Sequence, residues 1–504
     1  MAQTNQPIIL SQSACDIWNE LAHHCQTLTE PERIDLKKHL QDKVQTIVIE
    51  PTYICKDYRN LFSNYLFSKE PVPSPFCARI HFFSECFTES QLYTNPKIND
   101  AYIGFSVIRP LTYGSLGRTV IDPYKIGISP DEHCYLLRTP FSVHLNGLKL
   151  EVSGFPYMAQ DGEVLLCGQT TIWAVCRYFS ERYPNYHQWY PFDIIRHTSN
   201  EYGRIFPYRY MSYTDYCRII SAFGCSPIII SKVSEEISPP DLPNTFPKPP
   251  AAPVPSKTIL PRKIKPKAFE ELYSYMESGI PLLASHHDHV TAIIGHTIDY
   301  DREVTPDSDN LIDASAYVGQ FLIVDDNCFP YQRLGRRGDP LNYSQEYSLE
   351  TLLSITCPLP SKLRLPAIQA REGCKLILKK MRADPGYKLP QDQPLVTRLF
   401  ATTGSSLKSS LLRNFTPGQI WTTSIEALLT SIHLPPFVWI MEISTPELYR
   451  HKKCLGEIVI DTTATLSENL LIYARTQASI LLNGKNYPQE SEPFLQFINN
   501  LGKK

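Results

Sequence analysis

The sequence predicts an α+β fold on three observations. Residues 76–155 are a series of short β-type runs, "FCARIHFF", "AYIGFSVI", "RTVI", "CYLL" and "FSVHL", broken by glycine and proline turns. A helix follows from residue 167, where Thr171, Ala174, Val175 and Tyr178 recur at helical spacing. Beyond it, "HVTAIIGH" and "QFLIVDD" are apolar runs of strand length whose ends present polar residues. At 504 residues the chain exceeds one ordinary core, so about two to four domains are expected.

Taken in order, residues 1–75 read as a helical N-terminal segment. Ile17, Leu21 and Cys25 form one helix-spaced set and Ile34, Leu36 and Leu40 a second. "TEPER" between them supplies a Thr cap and an early proline, so a helical hairpin is expected. The β-rich subdomain spans 76–155 and a third unit spans 156–345. Within that unit, residues 238–267 hold too many prolines for helix or sheet and read as an extended surface insertion. Its "PKPP" and "PAAP" fit docking into an aromatic groove on a partner, although a plain spacer is the simpler reading. "AFEELYSYMESGIPLL" reads as a helix stopped by Gly279 and Pro281 that feeds a strand. Residues 346–504, with "VWIMEIS", "GEIVIDTT" and "NLLIYAR", read as a mixed α/β or β-rich C-terminal domain, and no repeat period runs through the chain.

Composition excludes some function classes. Lys and Arg total 49 against 51 Asp and Glu, a net charge of −2, which supplies no long-range field for nucleic acid or an anionic membrane. No apolar run approaches the roughly 18 residues of a membrane span. The 14 cysteines are scattered without a C-x-x-C pair and no secretory leader precedes them, so a soluble protein of a reduced, cytoplasmic compartment is expected. The sequons at Asn342 and Asn414 and the "RGD" of Arg337 to Asp339 are short enough to arise by chance.

A cysteine nucleophile acts as a thiolate and needs a setting that favours the anion, typically a helix N-terminus with an imidazole nearby. Cys167 opens the helix of "CGQTTIWAVCRYF", with Gly168 leaving the backbone open beside the sulfur and the helix dipole pointing its positive end at the thiol. Gln160, in "MAQDGEVLLC", places an amide just upstream, where it and the Cys167 N–H can hold a developing oxyanion. The base must come from another element. His289 opens "HVTAIIGH" and Asp325 ends "FLIVDD", so adjacent strands bring the two within hydrogen-bond reach. Asp325, Asp326 and Asn327 are consecutive, and period-two alternation sends neighbours to opposite faces. All three are candidates for the third member, with Asp325, which directly ends the strand, preferred.

Gln160, "CG" at Cys167, Trp173 in the following helix, "SGIPLLASHHDHVTAIIGH" and "FLIVDDNCFPY" resemble the papain-like cysteine peptidases, particularly the branch that trims double-glycine leaders from bacteriocins. The resemblance covers about residues 156–340, and the flanks "YIGFSVIRP" and "GEIVIDTTA" look like those of bacterial proteins built around such a domain. It implies a central helix packed on an antiparallel sheet, with Cys167 as nucleophile, His289 as base, Asp325 orienting it and Gln160 in the oxyanion hole. It also implies thiol hydrolysis of a peptide or isopeptide bond in a protein or peptide substrate, with no metal or organic cofactor. Acyl transfer to an amine, as in transglutaminase-like relatives, and a catalytically silent binding scaffold are the alternatives.

Several residues have blander readings. His286, His287 and His296 rival His289, and the resemblance picks the histidine that immediately precedes the apolar run. "HHDH" offers zinc-type ligands, but consecutive strand residues alternate faces and no H-E-x-x-H helix or cysteine pair completes a shell. "GSLGRT", residues 114–119, lacks the lysine and glycine spacing of a phosphate loop and reads as a turn. Cys176 lies about two and a half turns along the helix from Cys167 and reads as core, as does Cys328 beside Asp325, unless its thiol is oxidation-sensitive.

Overall fold

A computed structural model describes residues 6–13, 16–128, 133–198, 211–231, 233–236, 262–344, 346–413, 431–464, 470–488 and 490–497. It has the expected α+β character, built around one five-stranded and two seven-stranded sheets.

The five-stranded sheet is an antiparallel meander of Ile8–Ser11, Thr46–Tyr53, Cys77–Phe83, Tyr102–Ile108 and Leu116–Ile121, each strand pairing with the next. The expected helical hairpin is present as Ile17–His24 and Glu30–Leu40. Pro31 sits in the first turn of the second helix, where a missing N–H costs nothing. Leu36 and Leu40 are buried, whereas Ile34 is 56% exposed, because residues two apart on a helix do not share a face. The division expected at residue 75 falls inside this sheet. "TIVIEPTY" is a strand, and it hydrogen-bonds along Cys77–Phe83, so segment and subdomain are continuous.

The second sheet runs in the order Gln332–Leu334, Val318–Val324, Val290–Ile298, Leu282–Ser285, Ser354–Pro360 and Cys225–Ser231, with Cys134–Leu136 also paired to Val290–Ile298. Every pairing in it is antiparallel. Ser354–Pro360 lies beyond the boundary expected at 345, yet it is a central strand here, so that boundary too is crossed by backbone hydrogen bonds. The helix Cys167–Arg182 packs on this sheet, and residues 168–179 are all buried. Burial all round reflects packing by the N-terminal segment on its other side. There Asp57 accepts hydrogen bonds from Trp173 Nε1 (3.0 Å) and Arg177 Nη2 (2.8 Å), and all three side chains are buried.

The helix expected before the "IPLL" strand spans Pro266–Glu277, and Gly279, at a φ of 79° that a Cβ disfavours, turns the chain into Leu282–Ser285. Of the proline-rich stretch 238–267, residues 237–261 lie outside the described residues. Its end is not irregular, as expected, because Arg262–Ile264 pairs with Ser234–Glu236 and Pro266 begins a helix, the position proline tolerates. The sequon at Asn414 also lies outside the described residues.

The third sheet has the order Leu311–Asp313, Leu395–Thr403, Phe437–Ser444, Gly456–Asp461, Leu471–Thr476, Ser479–Leu482 and Lys485–Pro488. Alternation along its strands covers both faces. Leu399, Trp439, Met441, Ile458 and Ile460 join the main core, while Phe400, Val438, Ile440, Val459 and Tyr473 form a second cluster. The main core runs without interruption from Leu10 to Ala474, which joins the three sheets into one packed body. Among the described residues no helix is long and apolar enough to cross a membrane.

Candidate active site

Cys167 is the first residue of its helix and is half-buried. The backbone that enters the helix is held by Gln169, whose Oε1 accepts from Leu166 N at 3.2 Å. A Cβ on Gly168 would lie 2.8 Å from Tyr216 Oη, so a larger residue there would displace the end of that side chain. One hydrogen bond sets the distance to the neighbouring strand: Thr171 Oγ1 donates to the carbonyl of Val290 at 3.1 Å, one turn from Cys167 and one residue from His289.

His289 ends a tight connection in which His286 N donates to His289 O at 2.8 Å and Ser285 pairs with Val290. Its Nε2 lies 2.9 Å from Asp325 Oδ1 and 3.6 Å from Asp326 Oδ1, which leaves Nδ1 for the thiol side. The Tyr347 ring stacks on the imidazole at a centroid distance of 5.5 Å. Burial opposes a charge on His289, but hydrogen bonding to Asp325, interaction with the Cys167 thiol and the two aspartate charges outweigh it. The net effect raises the imidazole well above its ordinary range. Asp325 shifts the other way. Burial favours its neutral form, yet the hydrogen bond and charge of His289 and the Asn327 N–H (2.9 Å) hold its carboxyl below the usual range.

Asp326 departs from expectation. Both carboxylates reach His289, because the strand ends at Val324 and alternation no longer governs the two residues beyond it. Burial, then the adjacent Asp325 charge, push Asp326 up to about 7. Asn327 is exposed and turns the opposite way, accepting a hydrogen bond from Gln160 Nε2.

That bond orients the Gln160 amide and leaves the second Nε2 proton free for another acceptor. The loop beneath Gln160 is rigidly tied. Asp161 Oδ1 accepts from the backbone N–H groups of Glu163, Val164 and Leu165 at 2.8–2.9 Å. Buried Arg109 donates through Nη2 to the carbonyls of Ala159 (2.8 Å) and Gly114. Gly114, the first residue of the expected turn, has φ 62°, and a Cβ on it would fall 1.8 Å from the Gln160 carbonyl oxygen. Of the expected "GSLGRT" turn, Leu116 to Thr119 already belong to the strand Leu116–Ile121, and its first glycine lets the Gln160 loop approach.

Gln160, Cys167 and His289 open onto one cleft of about 950 Å³, with Met211, Tyr216 and Tyr347 among its other walls. The structure therefore brings together Cys167, His289 and Asp325, with Gln160 at the cleft edge. His296 is remote from this group, its Nε2 bound to Glu277 at 2.6 Å. His287 is exposed, and His286 is buried in the cleft wall.

Of the other thiols, Cys176 is driven well above its ordinary range by burial, and Cys25, Cys225 and Cys374 are each pushed up to about 12. Cys328 is also pushed up to about 12, by burial and then by the Asp325 charge. Among the described residues, one group of three metal-type donors lies within 4.8 Å, namely His289, Asp325 and Asp326. Its nitrogen is the Nε2 already hydrogen-bonded to Asp325, so a cation there would compete with the imidazole proton. It differs from the "HHDH" group considered from sequence, whose members divide between buried His286 and His289 and exposed His287 and Asp288.

Sequence reasoning did not find Tyr347, Tyr216 and Met211, which come from distant loops and helices and carry no local pattern. No protein-family model, no curated protein and no solved structure matches the chain.

Proposed function

We propose that the chain is a cysteine hydrolase of papain-like type that cleaves a peptide or isopeptide bond through a covalent acyl-enzyme. The observation that carries this reading is the convergence on one cleft of a helix-N-terminal cysteine and a buried histidine, the latter bound 2.9 Å from an aspartate. The helix dipole favours negative charge at Cys167, and the aspartates favour positive charge on His289, so the pair is set up to exchange a proton.

In the reaction, the Cys167 sulfur forms a bond to the substrate carbonyl carbon and the carbonyl π pair moves onto oxygen. The oxyanion is received by the free proton of Gln160 Nε2 and the Cys167 N–H. Collapse breaks the C–N bond as His289 gives its proton to the leaving amine. Water then adds to the thioester, His289 taking a proton from it, and release of the carboxylate restores the thiolate. Asp325 orients the ring throughout and keeps the Nε2 side protonated.

The test is incubation of the full chain and of Cys167→Ala with a proteome-derived peptide mixture in ¹⁸O water. New C-termini carrying ¹⁸O that are absent with the variant are expected. Products joined to an added amine instead would replace hydrolysis by acyl transfer, and no Cys167-dependent products would reduce the fold to a binding scaffold.

A further inference from the structure

The lining of the cleft carries the substrate class, an inference that rests on the hydrolase reading. His286 lines the cleft and is 4% exposed. Its Nδ1 lies 2.9 Å from Thr351 Oγ1. That hydroxyl donates to the Ser348 carbonyl (2.9 Å), and Ser348 N donates to Thr351 Oγ1 at 3.0 Å. With the hydroxyl proton on the Ser348 carbonyl, Thr351 accepts from His286, an arrangement that puts the imidazole proton on Nδ1 and leaves a lone pair on Nε2. That Nε2 is buried and has no partner. A buried acceptor without a donor is costly, and a ligand that brings a donor recovers the cost. Burial, then the neighbouring His289 charge, push His286 down to about 4, so it stays an acceptor at neutral pH.

Two further features share this wall. The Tyr347 ring lies 4.9 Å from the His286 ring, and Tyr347 Oη donates to Asp288 Oδ1 at 3.3 Å. Asp288 is exposed at the mouth of the cleft. Apart from the reacting pair, it is the one acidic or basic side chain other than histidine among the described residues of the lining, and no lysine or arginine is among them. A carboxylate, an aromatic face and an uncommitted acceptor together match a cation that carries several N–H donors.

We propose that the cleft selects a peptide bearing an arginine or lysine side chain beside the reacting carbonyl, held by Asp288, the Tyr347 ring and the Nε2 lone pair of His286.

The test uses peptidyl chloromethyl ketones of one sequence ending in arginine, norleucine or glutamate, reacted with the full chain, with kinact/KI read from labelling of Cys167. Iodoacetamide, which needs no subsite, is run in parallel. The arginine probe is expected to label roughly tenfold faster than norleucine and glutamate slowest. Asp288→Asn should erase most of the arginine advantage, a loss of roughly three- to tenfold, with the iodoacetamide rate unchanged. His286→Ala should lower the arginine rate in the same direction. Norleucine equal to or faster than arginine, or an Asp288→Asn protein with its preference intact, overturns the inference while rapid iodoacetamide labelling leaves the hydrolase reading standing. Slow labelling of Cys167 by iodoacetamide itself overturns both.

Discussion

Two histidines belong to the same stretch of chain, His289 just before the strand Val290–Ile298 and His296 within it, and each is buried against a carboxylate, yet they belong to different kinds of structure. His289 binds Asp325 and faces a half-buried thiol across a cleft of about 950 Å³. His296 binds Glu277 in the interior, packed edge-on to Tyr135 and tilted against Tyr273. The Glu277 carboxylate is shared with Arg398 (Nε to Oε2 3.0 Å), whose Nη1 reaches Glu442 Oε2 at 2.8 Å and the Phe497 carbonyl at 3.0 Å. There the charges are mutually satisfied and join the second sheet to the third; the cavity beside them is only about 30 Å³. A His–carboxylate pair is therefore not itself a sign of catalysis. What separates the two is whether the second face of the imidazole meets a nucleophile and open volume.

The comparison predicts effects of different kinds at the two ends of the strand. The largest is at the cleft: Cys167→Ala should abolish turnover without a comparable loss of stability, and His289→Ala should lower turnover by about 10²–10⁴-fold, measured by single-turnover kinetics and denaturant unfolding. Arg398→Met should do the reverse. It strands two buried carboxylates and should destabilise by about 3–5 kcal/mol in urea unfolding, while the Cys167 alkylation rate per folded molecule stays unchanged. If Arg398→Met slows Cys167 as much as His289→Ala does, the two ends are one functional unit and the distinction fails.

Gln160→Ala should reduce kcat by roughly 10–10³-fold with little change in alkylation rate, because the amide serves the oxyanion and not the thiol. An equal loss in both would assign Gln160 a structural role. The smallest effect is at Asp326. Its folded-state pKa is raised to about 7 from an ordinary value near 4, so its ionisation weakens the fold progressively as pH rises between these values and the full penalty applies above about 7. Asp326→Asn should accordingly stabilise by about 1–2 kcal/mol at pH 8 and by much less at pH 4. Equal effects at both pH values would show that Asp326 is not ionising within the fold.

Much of the site was legible because its members stand at the ends of elements whose periodicity is visible. Cys167 heads an apolar helix, His289 precedes an apolar strand and Asp325 follows one. Among Asp325, Asp326 and Asn327 alternation could not decide, because the strand ends at Val324 and the backbone is already turning at the residues beyond it. Tyr347 and the Gln160–Asn327 bond were not legible, since they join loops more than 50 residues apart through tertiary packing. The fold shows the same limit. Individual strands such as Cys77–Phe83 and Gly456–Asp461 were visible, but their partners were not. Thr46–Tyr53 and Ser354–Pro360 cross the expected divisions because pairing is decided by burial of a shared face. Ile34 was grouped as helix-spaced with Leu36 and Leu40, although a residue two before Leu36 does not share its face, and it points outward.

The central claim is that Cys167 and His289 act as one proton-exchanging pair. The most direct measurement is the iodoacetamide alkylation rate of each cysteine from pH 5 to 9, mapped by mass spectrometry in the native protein and in His289→Ala. The account predicts that at pH 6 Cys167 reacts at least about tenfold faster than Cys86, the exposed thiol among the described residues, and loses that lead in the variant. A Cys167 rate equal to that of Cys86, with the same pH profile and no dependence on His289, would contradict it.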